Sequence, residues 1–254
     1  MSKAVTTKPG LSVPPFGKTK SDVAIELGSA VVDAPAPGKL DLDLQVELRS
    51  ATDWGVNGGD KYDVTSATDE IVEADTYKFI AGDLMPRQDG SCLIPRRSTV
   101  WSSALTERHE RYHANDIEGW LAAKGEACVE KAVQGPWTYD ETDFFTRQRE
   151  HVDNLVALGQ EALHGALGEH MSAGRPYNQR PSEIRAYHDG KDAYTQLALG
   201  IMNHGFALKE QQEEEAAARA ARGNDSSAAA AVLDQAADGS QQQQAGGSTA
   251  TAPD

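Results

Sequence analysis

The hydrophobic period changes once along this chain, and that change limits what it can fold into. Residues Leu40 to Leu48 (LDLDLQVEL) alternate apolar and polar without a break. A period of about two puts the apolar side chains on one face of a strand and leaves the other face to water. From Ser102 the pattern is different: Leu105, His109, Tyr112, His113, Asp116, Ile117, Trp120 and Leu121 recur at three- and four-residue steps. Those steps mark one face of a helix. Strands therefore precede helices, and the expected class is α+β: a small N-terminal antiparallel sheet followed by a mainly helical part.

Local signals fill in the rest. Asp22 to Val32 reads as a second strand, and Asp33 to Gly38 (DAPAPG) as the turn after it. Residues 53–64 are rich in Asp, Asn and Gly and read as a loop. Asp53, Asn57, Asp60 and Asp63 lack the spacing of an EF-hand calcium loop. Thr76 to Ile80 (TYKFI) reads as a short strand. Ser91 to Ile94 and Ser98 to Trp101 read as extended pieces separated by Pro95. The first helix, capped by Ser102 or Ser103, is expected to reach about Ala132, ahead of Gly135-Pro136. A second is expected from an Asp140 cap to Met171. A third opens with Pro181 in its first turn and carries Glu183, Tyr187, Tyr194, Leu197 and Ile201.

Composition sets the boundaries. The segments 1–21 and 209–254 are poor in large apolar side chains, so they are expected to stay disordered around one domain at 22–208. The net charge of −15 argues against a nucleic-acid partner, which demands a basic surface. No stretch of about 20 apolar residues exists to span a membrane. Lys3 and Lys8 are not followed by an apolar segment of the secretory kind. The expected location is cytoplasmic, or outside after export without an ordinary signal. Cys92 and Cys128 are either separate thiols or one pair, since geometry decides whether a disulfide forms.

The densest chemistry lies in His109-Glu110-Arg111-Tyr112-His113. Four helical residues turn by about 400°, so both imidazoles share a face one turn apart and can reach one Zn²⁺. Glu110 falls one position round, beside the metal, where it can take a proton from water activated there. Histidines on an otherwise apolar face need a partner, because unpaired burial costs free energy. Tyr187, His188 and Tyr194 are candidate donors to a developing oxyanion, with Tyr187 the first choice. His151, His164, His170 and His204 read as surface or core residues.

This pattern resembles that of the HExxH zinc peptidases, the zincins. The resemblance covers HERYH, the extended segment ending at Trp101 and the downstream helix. It implies a zinc-dependent peptidase acting on a peptide or protein, with residues 91–101 as an edge strand that binds substrate by strand addition. The alternative is a non-catalytic module in which zinc is structural. The metzincin pattern HExxHxxGxxH fails, because HERYHANDIEG has neither the Gly nor the final His. The gluzincin pattern takes its third ligand from a later helix. Here Glu183, within Glu183-Ile-Arg-Ala-Tyr187, resembles that E-x-x-A-Y stretch. Asp116 is the runner-up ligand, although a straight helix places it about 10 Å along the axis from His109. It is better suited to hydrogen-bond a ligating histidine. Glu150 and Asp189 are further alternatives, and Glu118 faces away.

Overall fold

The computed structural model describes residues 5–9, 16–135 and 137–242. The architecture is α+β. Two long strands, β2 (Phe16–Ala36) and β3 (Lys39–Asn57), form an antiparallel hairpin around Gly38. Gly38 has φ +73°, a left-handed conformation that glycine adopts without penalty. β1 (Val5–Pro9) joins β3 in parallel, pairing with its second half at Ser50–Trp54. β8 (Trp137–Asp140) pairs antiparallel with its first four residues. β2 therefore has β3 on one side and is an edge of the sheet among the described residues.

Two small two-stranded sheets follow. β4 (Tyr62–Asp63) pairs with β7 (Val100–Trp101), and β5 (Arg87–Asp89) with β6 (Cys92–Ile94). The helices are α1 (Tyr77–Leu84), α2 (Ser103–Trp120), α3 (Glu126–Ala132), α4 (Glu141–His170) and α5 (Pro181–Gln242). A π-helical turn, Leu121–Gly125, joins α2 to α3.

Two apolar clusters hold these elements. One joins the sheet to α4 through Ile25, Leu42, Leu48, Ile117, Val129, Phe144 and Leu163. The other joins α1 and β7 to α5 through Tyr77, Ile80, Leu84, Val100, Ala198 and Ile201. α2 leaves β7 at the second cluster and ends in the first with Ile117.

Several expectations change. Thr76–Ile80 is not a strand: Tyr77, Ile80, Ala81 and Leu84 are the buried face of α1, so the apolar step there is three or four. The segment 91–101 is not one edge strand, because its two extended parts belong to different sheets. Neither Ser102 nor Ser103 caps α2 with its side chain; the Ser103 N–H donates instead to Asp63 Oδ1 at 2.8 Å. The loop expected at 53–64 is shortened by the end of β3 and by β4. β2 starts at Phe16, six residues before the expected domain start, while residues 1–4 and 10–15 of that N-terminal segment lie outside the described residues. α5 continues through the segment expected as a tail, with every residue from Lys209 to Arg222 exposed; residues 243–254 lie outside the described residues. Cys92 and Cys128 are both free thiols. No described helix is long and apolar enough to cross a membrane.

Candidate metal centre

α2 turns His109, Glu110 and His113 inward, and all three are buried. The first turn of α5 places Glu183 opposite them. Pro181 suits that turn because it has no N–H to leave unpaired. His109 Nε2 lies 3.2 Å from Glu183 Oε2, His113 Nε2 3.3 Å from the same oxygen, and the two Nε2 atoms 3.2 Å from each other.

That triangle has a chemical meaning. Ligands about 2.0–2.1 Å from a tetrahedral Zn²⁺ stand about 3.3–3.4 Å apart. The three atoms match one face of such a tetrahedron. Protons alone satisfy the arrangement poorly. If both Nε2 atoms carry hydrogen, two donors face each other at 3.2 Å. If one does, acceptors still face acceptors. A cation satisfies all three edges together, so His109, His113 and Glu183 could hold a metal ion. Burial favours a protonated Glu183, but the facing imidazoles outweigh it and hold the carboxyl at about 2. Both Nδ1 atoms lack a hydrogen-bond partner among the described residues.

Glu110 stands outside this cluster. Its Oε2 accepts a hydrogen bond from the Thr19 hydroxyl of β2 at 2.7 Å. Tyr187 is buried, with its ring centroid 4.3 Å from that of His109. Its hydroxyl accepts from Arg97 Nη2 and pairs with the Tyr177 hydroxyl, each at 3.1 Å. Burial raises the pKa of Tyr187, so the phenol stays protonated. Tyr177 is half-exposed as a residue; desolvation of its hydroxyl first, then the neighbouring Tyr187 and Glu183, push its pKa up. Cys92 remains a thiol, since burial and the nearby Glu183 charge push it up to about 11.

The other candidates lie elsewhere. Asp116 pairs with Arg185 at 2.6 Å and His170 at 3.3 Å, which removes it from the ligand set. Asp189 pairs with Arg108, and Glu150 with Arg147. His188 is exposed, and Tyr194 is buried near Thr106 and Arg97. His151 meets Asp143, and His164 donates to the Val23 carbonyl. Glu118 takes no part in the cluster.

No protein-family model, curated protein or solved structure matches this chain.

Thr19, Arg97 and Tyr177 went unnoticed in the sequence. Thr19 lies in a Pro-, Lys- and Thr-rich stretch that resembles a tail, and its partner is 91 residues away. Tyr177 carried a faint signal, an aromatic residue in the turn just before the helix that carries Glu183.

Proposed function

We propose that this chain is a zinc-dependent metallopeptidase of gluzincin-like type, hydrolysing a peptide or protein substrate. The observation that carries the reading is the His109–His113–Glu183 triangle, with edges of 3.2–3.3 Å. Zn²⁺ held there would supply a Lewis acid.

The protein's own groups do the rest. Glu110 is the general base: its carboxylate takes a proton from the attacking water and returns it to the leaving amine. Tyr187 fixes the plane of the His109 imidazole, and the Tyr177–Tyr187 hydroxyl pair provides a protonated donor beside Glu183. Burial of His109, Glu110 and His113, each 4–7 % exposed, strengthens every charge interaction at the centre.

The same burial favours a second reading, a zinc-stabilised binding module without catalysis. Glu110→Gln separates the two. The purified wild-type protein is expected to hold one zinc per chain by elemental analysis and to cleave fluorescein-labelled casein. The variant should keep its zinc and lose hydrolysis by roughly 10²–10⁴-fold, the range for a general base. Undiminished cleavage by Glu110→Gln overturns the mechanism. A zinc-loaded wild type without hydrolysis leaves the structural module.

A further inference from the structure

The start of β2 meets Glu110 at two points. Thr19 donates its hydroxyl to Glu110 Oε2 at 2.7 Å and also lies 3.1 Å from the Glu110 carbonyl. One hydroxyl has one proton, and the shorter contact to the charged oxygen is the stronger bond. Two residues earlier, Gly17 faces the other side of the same group. A Cβ there would sit 2.3 Å from Glu110 Oε1 and 2.7 Å from both Cδ and Cγ. Residues i and i+2 share a strand face, so positions 17 and 19 present one surface to the carboxylate. That surface is fixed: Gly17 pairs with Val56 and Thr19 with Trp54 across the hairpin. Phe16 secures its start, with its ring 4.1 Å from the Arg97 guanidinium and 6.5 Å from Trp101.

A glutamate has three side-chain torsions, and a base out of place by about 1 Å can lose 10²-fold in rate. Among the described residues, the Glu110 carboxylate takes its side-chain hydrogen bond from β2. We infer that Thr19 is a positioning residue for Glu110: it holds Oε2 while Oε1 lies in the glycine gap at position 17, so that the base is aimed before substrate arrives. The inference rests on the proposed role of Glu110 as general base and adds β2 to the working site. The opposite possibility is a latch, in which β2 keeps Glu110 out of use.

The test compares zinc-loaded full-length Thr19→Val, Thr19→Ser and Gly17→Ala with wild type on labelled casein. Thr19→Val is nearly isosteric but has no hydroxyl, and should lower kcat about 10–100-fold with KM within about twofold. Thr19→Ser should restore most of the rate. Gly17→Ala should lower kcat as Thr19→Val does, because the flexible end of Glu110 yields before the strand. Zinc content should stay at one per chain in all three. Crystal structures give a readout independent of rate: the Glu110 carboxylate should leave its wild-type position in Thr19→Val and keep it in Thr19→Ser. An unchanged or increased kcat in Thr19→Val overturns the inference, as does a Thr19→Ser variant no better than Thr19→Val. If those results coincide with a dead Glu110→Gln, the peptidase reading stands and only the positioning role falls. If Glu110→Gln cleaves normally, both fall.

Discussion

Two buried carboxylates, Asp83 and Glu183, sit in opposite kinds of surroundings. Asp83, on α1, is 2 % exposed. Its Oδ1 accepts from the backbone and hydroxyl of Ser98 at 3.0 and 2.6 Å, and its Oδ2 from the backbones of Thr99 and Val100 at 2.8 and 3.1 Å. Every oxygen lone pair has a donor, so Asp83 is finished within the protein. It pins the segment that carries Arg97 and runs through β7 into α2. Glu183 is 9 % exposed and faces two ring nitrogens that also face each other. A carboxylate with a closed set of donors holds the fold. One gathered with other electron-pair donors is arranged for something positively charged.

The largest expected difference between them is in the removal of each carboxylate. Glu183→Ala should take the metal content from one equivalent to none by elemental analysis. Asp83→Ala should keep its metal but lose roughly 3 kcal/mol of unfolding free energy in urea, because buried donors lose their acceptor. A Glu183→Ala protein that still binds zinc tightly would undo the contrast.

Acid should have the next largest effect, at Asp83. Burial raises the pKa of Asp83, but the bonds from Ser98, Thr99 and Val100 outweigh burial and leave it lowered. A lowered folded-state value means stability is present above the unfolded carboxyl value, about 3.9, and is lost as pH falls through the folded value beneath it. Wild type should therefore exceed Asp83→Asn in stability at pH 6, and the gap should close below about pH 4. Urea melts from pH 6 to 2.5 measure this, and a gap that stays constant contradicts it.

The smallest effect is at a single donor. Ser98→Ala removes the 2.6 Å hydroxyl bond but leaves three backbone donors on Asp83. The expected loss is about 1 kcal/mol, again with zinc unchanged. A loss as large as that of Asp83→Ala would mean that the backbone bonds contribute little.

Much of this was legible in the sequence because it depends on nearby residues. The start of α2, the α4 span, the start of α5 at Pro181 and the pairing face of His109 and His113 all follow from periodicity and local turn chemistry, whereas the one helix expected to Ala132 is α2 and α3 joined by the π-helical turn. Glu183 needed a resemblance, since no spacing rule links it to His113. The misses came from distance along the chain or from short windows. Asp63 reaches α2 from 40 residues away, so a serine in the usual position attracted the capping assignment. Five residues, Thr76–Ile80, were too few to separate a strand from the first turn of α1. Gly17 and Thr19 lie outside any periodic run, and only the folded hairpin lays them on Glu110.

The π-helical turn at Leu121–Gly125 separates two stretches of helix with different neighbours. An α-helix advances about 100° per residue, and a wider turn resets the angular phase of whatever follows. Before it, the helix is phased by His109 and His113 toward Glu183. After it, Val129 and Val133 are phased toward Gly159 of α4. The turn works as a coupling between two separately indexed shafts. Five residues thus stand between the part of the helix that faces Glu183 and the part that packs on α4.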